Sequence, residues 1–234
     1  MTIGEQTTVS EIAVNLPSSV RVFQRHGIDF CCGGNVGLAA ACRKHGVRVG
    51  DVMAAIAAAN EQRSPDERDW NNEPLHRLIG HIVASYHDPL REELPRLESM
   101  AAKVARVHGA RASHVKRVDA IVAELSADLQ SHMRKEEAIL FPAIDAAARG
   151  DGGGHVPLPA PIMVMEDEHE HAGALLTELR TITDGYAPPE WACTTFRALY
   201  HGLSELESAM HVHVHLENNI LFPRALSLAH LERG

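Results

Sequence analysis

Along most of the chain the hydrophobic positions fall three and four apart, the spacing of amphipathic helices rather than the alternation of strands. Short stretches of this kind cover 9–14, 18–26, 37–45 and 49–60, with Pro17 placed to open the second and Gly27 to close it. Residues 61–69 carry a proline and no apolar side chain, and read as a connection between domains. Longer periodic stretches then cover 73–107, 110–148, 162–183 and 190–230. Gly109 ends the first of them, the Gly/Pro-rich segment 150–161 follows the second, and 184–189 turns between the last two. Pro89 and Pro95 are expected to kink the first long helix or break its hydrogen bonding locally. The pattern predicts an all-α protein with a small helical domain over 1–62, a linker over 63–72 and a four-helix bundle over 73–234.

The bundle region repeats itself. His132 is followed four residues later by Glu136 and seven residues later by Ile-Leu-Phe-Pro, and His213 is followed by Glu217 and the same Ile-Leu-Phe-Pro at the same distances. His87 lies 45 residues before His132, and His169 lies 44 before His213. This is the signature of a duplicated helical hairpin, in which each copy offers one His from its first helix and a His-x-x-x-Glu from its second. At about 1.5 Å of rise per residue, the first hairpin brings His132 back to the level of His87. Four His and two Glu suit a non-haem di-iron centre inside a four-helix bundle.

Direction supports this set. At about 100° per residue from His132, Leu125, Leu129, Glu136, Ile139 and Leu140 share one apolar stripe, while Glu137 points toward its edge. A carboxylate within such a stripe is costly unless it is paired or binds metal. On the last helix the same count puts His213 and Glu217 among Leu199, Leu203, Leu206, Met210, Ile220 and Leu221. It puts His211 and His215 on the opposite face, toward solvent. The pair His211/His215 has the spacing of a surface metal site, and His81 and His171 compete with His87 and His169. The matched spacings favour His87 and His169. Zinc is the alternative metal, but no Cys-rich tetrahedral set is present, and His with carboxylate from four helices suits iron or manganese better.

Composition narrows the function further. Acidic residues outnumber basic ones, 31 to 22, so a nucleic-acid-binding surface is not expected. The first residues lack the basic and apolar regions of a signal peptide, and no apolar run reaches the roughly 20 residues of a membrane span. With four cysteines, two of them adjacent, the chain does not resemble a secreted disulfide framework, and a cytoplasmic location is expected. Cys31 and Cys32 stand in Phe-Cys-Cys-Gly-Gly. Adjacent cysteines rarely bridge each other, the glycines permit close backbone approach, and a thiol near a helix N-terminus would be activated. Either the pair consists of two small buried residues, or it serves thiol redox, metal handover or partner contact. Cys42 and Cys193 are expected to be inert core residues.

Several motifs together carry a family resemblance. They are Asp29-Phe30-Cys31-Cys32-Gly33-Gly34, Tyr86-His87, His132 through Pro142, Glu168-His169 with Gly173, and His213 through Arg224. The bundle resembles a hemerythrin-like domain, and the whole chain resembles the bacterial di-iron proteins that repair iron-sulfur clusters. The resemblance implies a cytoplasmic stress protein that restores clusters injured by nitrosative or oxidative stress by supplying iron from its centre. It implies His87, His132, His169 and His213 as terminal ligands and Glu136 and Glu217 as bridges. Two irons, carboxylate- and oxo-bridged, would be the cofactor. Damaged iron-sulfur proteins would be the partners and NO or O2 the small ligands. Reduction of NO at the centre, or O2/NO sensing or carriage, is the alternative activity. Monomer and homodimer both remain open.

Overall fold

The computed structural model describes residues 3–62, 68–150 and 157–231. Residues 63–67 of the expected linker and 151–156 of the expected mid-chain loop lie outside the described residues. Helices carry the fold, and the only strand-like pairing among the described residues is a single antiparallel bridge between Thr8 and Gly37. The chain divides into two compact units, one made of Met1–Leu78 with His211–Gly234 and the other of Ile79–Met210.

In the first unit, helix α1 (Val9–Asn15) opens with a capping box. Thr8 accepts from the Glu11 amide at 3.2 Å, and the Glu11 carboxylate accepts from the Thr8 amide at 3.0 Å. Helix α2 (Ser19–His26) stops at Gly27, whose φ of 65° is the left-handed cap that favours glycine. Helices α3 (Leu38–Lys44) and α4 (Val49–Glu61) complete the layer. Val9, Ile12, Phe23, Phe30, Leu38 and Ile56 are all fully buried in its core, and Val212 packs against them from the chain's last quarter. Arg224 donates to the main-chain carbonyls of Trp70 and Glu73, at 2.7 Å each, and fixes the segment that enters the long helices.

Helix α5 (Leu75–Ile82) leads into the second unit, followed by α6 (Asp88–His108), α7 (Val115–Lys135), α8 (Phe141–Arg149), α9 (Pro159–Ile182) and α10 (Thr194–Leu216). Helix α10 runs on into the first unit, where α11 (Phe222–Leu231) ends the described chain. Within the second unit α6 packs on α7, and α7 on α9. Helix α10 closes the bundle from both sides. A Cβ at Gly202 would lie 2.8 Å from Leu97 of α6, so glycine permits this close approach, and Arg180 of α9 makes a bidentate ion pair with buried Glu207. Leu94, Leu97, Ile121, Leu125, Leu179 and Leu203 are among the buried side chains at its centre.

Three of the long helices depart from the expected continuous α-form. π-helical turns occupy Val83–His87, Glu136–Leu140 and Glu217–Leu221, and each closes with a bond spanning five residues, such as Phe141 N–H to the Glu136 carbonyl. Each turn ends two residues before a proline: Pro89, Pro142 or Pro223. A proline in a helix lacks the N–H and crowds the carbonyl four residues back, and opening the preceding turn relieves that crowding. Pro89 therefore produces a π turn, whereas Pro95 is accommodated inside α6. The widened turn also shifts the helical phase. Ile139, expected in the core stripe, is 51% exposed, whereas Leu140, expected beside it, is buried at 2%.

Candidate metal centre

In the second unit, His87, His132, Glu136 and His169 are all buried. Each π turn contains one of the residues in question, with His87 last in its turn and Glu136 and Glu217 first in theirs. Glu136 Oε2 lies 3.3 Å from His87 Nε2 and 3.3 Å from His132 Nε2, and His169 Nε2 lies 3.0 Å from His132 Nε2. Neither Glu136 oxygen has a hydrogen-bond partner.

The opposite ring nitrogens explain why. His87 Nδ1 meets Glu137 Oε1 at 2.6 Å, and Arg91 holds the same carboxylate. His132 Nδ1 meets Glu168 Oε2 at 2.9 Å, and Lys135 holds Glu168 from behind. A carboxylate only accepts, so each Nδ1 carries a proton and donates it, and Nε2, the nitrogen that faces Glu136, is the one that could bind a metal. A buried carboxylate without a hydrogen-bond donor is costly unless a cation sits beside it. Two donor atoms about 2.1 Å from a divalent cation stand about 3.0 Å apart at a right angle and about 3.4 Å apart at the tetrahedral angle. The spacings of 3.0 and 3.3 Å fit a first-row metal. Burial pushes the Glu137 and Glu168 carboxyls up, but the hydrogen bonds from His87 with Arg91 and from Lys135 with His132 outweigh it and hold both below the ordinary value. This carboxylate–histidine pairing is how proteins fix the tautomer and aim of a metal-binding imidazole.

In the first unit, His213 Nε2 stands 3.1 Å from Glu217 Oε1, and both side chains are fully buried. Their neighbour His215 corrects the expectation of a solvent-facing ring. It is 3% exposed, its ring meets the Phe30 ring edge-on at 5.5 Å, and burial pushes its pKa down to about 4 against a hydrogen bond to the Phe30 backbone. The helical count had found one apolar face, whereas this end of α10 also carries the cysteine loop on the other. His211 is half-buried against the same Phe30 ring. His81 is half-buried beside Ser85, and His171 is exposed.

The cysteine loop is tied to this helix end. Asn219 donates to the Phe30 carbonyl at 3.2 Å and the Cys31 carbonyl at 3.4 Å, and its amide meets His215 Nδ1 at 3.0 Å. Asp29 organises the loop, accepting from the amides of Cys31 and Gly33 at 2.9 Å each and from the Cys31 thiol at 3.3 Å. None of the four cysteines is in a disulfide, and Cys31 is buried and Cys32 half-buried. Contrary to the activated thiol considered from sequence, Cys31 is pushed well up, by its hydrogen bond with Cys32, by burial and by the Asp29 charge. Cys42 is buried as expected. Cys193 is exposed in the turn before α10, beside His108, rather than in a core.

Sequence reasoning placed Glu137 at the edge of the apolar stripe and gave no role to Glu168 or Asn219. The first two flank proposed ligands at 136 and 169 and lie just off the inward face, so periodicity alone ranks them as edge residues. No helix among the described residues is long and apolar enough to cross a membrane.

Comparison with known proteins agrees with this geometry. Residues 78–225 match the hemerythrin HHE cation-binding domain, and residues 5–60 match ScdA_N, a domain of unknown function (DUF542). The chain is 43% identical to the iron-sulfur cluster repair protein YtfE of Edwardsiella ictaluri over 220 residues, covering 93% of this chain and 96% of that one. It is 42% identical to the protein of the same name from Escherichia coli O81 over 219 residues, covering 94% and 96%. A pair of non-haem irons, the cofactor expected from the sequence, is what the hemerythrin-type domain holds. An all-α chain with a cysteine-bearing N-terminal domain and a hemerythrin HHE domain, it belongs to the family of iron-sulfur cluster repair proteins.

Proposed function

We propose that this protein repairs iron-sulfur clusters damaged by nitrosative or oxidative stress, by supplying iron from a di-iron centre held by His87, His132, Glu136, His169, His213 and Glu217. The observation that carries this reading is Glu136, a fully buried carboxylate without a hydrogen-bond partner, faced by the Nε2 atoms of His87 and His132 at 3.3 Å each. The duplicated His-x-x-x-Glu extends the set to His213 and Glu217. Bound iron would supply exchangeable positions for NO or O2 and a ferrous ion to transfer.

The chain's own residues do the rest. Glu137 and Glu168 hold His87 and His132 in the tautomer that presents Nε2, with Arg91 and Lys135 neutralising their charge. Burial of His87, His132, Glu136 and His169 in one unit, and of His213 and Glu217 in the other, keeps water from these side chains. The small N-terminal domain over 1–62 offers the half-buried Cys32, next to buried Cys31, to damaged iron-sulfur proteins, and the bundle over 73–234 carries the metal. Four cysteines outside any disulfide fit a reducing cytoplasm.

The test is to mix protein purified without air with an NO-damaged iron-sulfur enzyme, counting the iron lost by one and the activity regained by the other. Recovery matched to iron loss is the expected result. Recovery by iron-free protein would refute the reading. Replacing Cys31 and Cys32 by Ser is expected to slow recovery without changing the iron content, and unaltered recovery would remove the cysteines from the mechanism.

A further inference from the structure

Of the four cysteines only Cys193 is exposed, and iron supply gives it no role. It stands immediately before α10, and its carbonyl accepts the first bond of that helix, from the Arg197 amide at 3.0 Å. Its sulfur has a partner. Cys193 Sγ lies 3.2 Å from Nε2 of His108, the last residue of α6. The His108 ring is held in turn by the rings of Trp191 and Phe196, with centroids 5.6 Å away in each case. Arg197 braces the cysteine segment, donating to the carbonyls of Glu190 and Ala192 at 2.6 and 3.1 Å. Thiol and imidazole are thus set against each other by two separately fixed stretches of chain. A cysteine kept for packing would be buried, as Cys42 is. An imidazole in contact, a helix N-terminus and access to solvent are the surroundings in which cysteines react.

The charge around the pair selects the reagent. The chain carries a net charge of −9, yet between Glu98 and Asp119 it has five Lys and Arg and no carboxylate. His108 lies in the middle of that stretch. Arg111 sits with its guanidinium 4.1 Å from the centroid of the Trp191 ring, two residues from Cys193. Lys116 lays its side chain over Gly109, the residue after His108, where a Cβ would come 2.9 Å from Lys116 Cε. Both cations are exposed, and a local positive field of this kind draws anions toward the thiol.

We propose that Cys193 forms a reversible mixed disulfide with an anionic low-molecular-weight disulfide, with His108 as the base and Arg111 as the group that attracts the anion. The Cys193 sulfur attacks one sulfur of the reagent, and the bond between the reagent's two sulfurs breaks. The thiol proton passes to His108 Nε2 and on to the departing thiolate. Cys193 is oxidised to the disulfide level and the released half of the reagent is reduced to a thiol, so the exchange needs no further oxidant. Excess thiol runs it backward and restores Cys193. This chemistry is independent of iron.

Full-length protein is treated without air with oxidised glutathione, an anionic disulfide, and modification of each cysteine is followed in time by peptide mass spectrometry. Cys193 should react at least about tenfold faster than the same cysteine in the urea-unfolded chain, since a positioned base contributes about 100-fold or more. A rate in the folded protein no higher than in the unfolded chain would overturn the site. His108→Gln should remove most of the advantage while circular dichroism shows the helices intact. An unchanged rate would overturn the role of His108 and leave its contact as packing. Should this variant lose helix, the comparison of folded with unfolded unaltered protein still decides whether the site is reactive. Arg111→Gln should slow the reaction with oxidised glutathione severalfold and should not slow that with cystamine, a cationic disulfide. An equal effect on both reagents would overturn the preference for an anion.

Discussion

Asn219, in the middle of the third π turn, donates its side-chain amide to the main-chain carbonyl of Phe30 at 3.2 Å. The residue three positions before it is Leu216 and the one two before it is Glu217, so the bond ties the backbone next to Cys31 to the turn that presents a proposed ligand. Removing it leaves the carbonyl of a fully buried residue short of a donor, at about 1–3 kcal/mol. Asn219→Leu should lower the stability of the protein by that amount in urea unfolding and speed amide exchange over 29–34. Unchanged exchange there would mean that Asp29 and the His215 hydrogen bond to the Phe30 backbone hold the loop without it.

Glu137 and Glu168 make a prediction separable from ligand loss. Glu137→Gln and Glu168→Gln keep the shape and remove the charge that fixes the imidazole tautomers. Iron affinity should fall about 10- to 100-fold for each, the usual effect of losing such an orienting carboxylate, with helix content by circular dichroism unaltered. Full affinity in both variants would show that the histidines are aimed by packing alone, for example by the Phe141 ring stacked on His87 at 5.7 Å.

The π turns should depend on their prolines. Pro142→Ala restores an N–H that can reach the Ala138 carbonyl and lets Glu136–Leu140 return to α-helix. The phase then advances, Ile139 turns inward, and the aim of Glu136 is lost. Iron should be retained less well while total helicity stays the same, as read by metal content after dialysis against a chelator. Undiminished retention would mean that the π turn is set by the surrounding packing.

At the far end of the chain, hydrogen bonds from the Thr8 side chain and backbone hold the Glu11 carboxyl below its ordinary 4.5. A folded-state pKa that is depressed adds stability that is present above the unfolded value and is lost as the pH falls through the folded one. Amide exchange at the start of α1 should therefore quicken below pH 4.5, and Glu11→Gln should remove that dependence.

These residues also mark how far the sequence was legible. The duplicated His-x-x-x-Glu and the matched upstream histidines were visible because a proposed ligand set repeated at one spacing leaves a pattern. His87 and His169 could be separated from His81 and His171 by that spacing alone. The π turns were not visible to a count at 100° per residue, although the proline two residues after each was in plain view, and the misplacement of Ile139 follows from that. His215 and Asn219 were misread or missed because the face they occupy is covered by residues nearly two hundred positions earlier, which no local periodicity reports. Glu137 and Glu168 act through a partner on another helix, so their role emerges only when the helices are packed.

The central claim is that His87, His132, Glu136, His169, His213 and Glu217 hold a pair of irons. Metal content and Mössbauer spectroscopy on protein purified without air test it most directly. The account predicts two coupled irons per chain in the unaltered protein and loss of the coupled pair in both Glu136→Ala and Glu217→Ala. One zinc per chain, indifferent to either substitution, would contradict it.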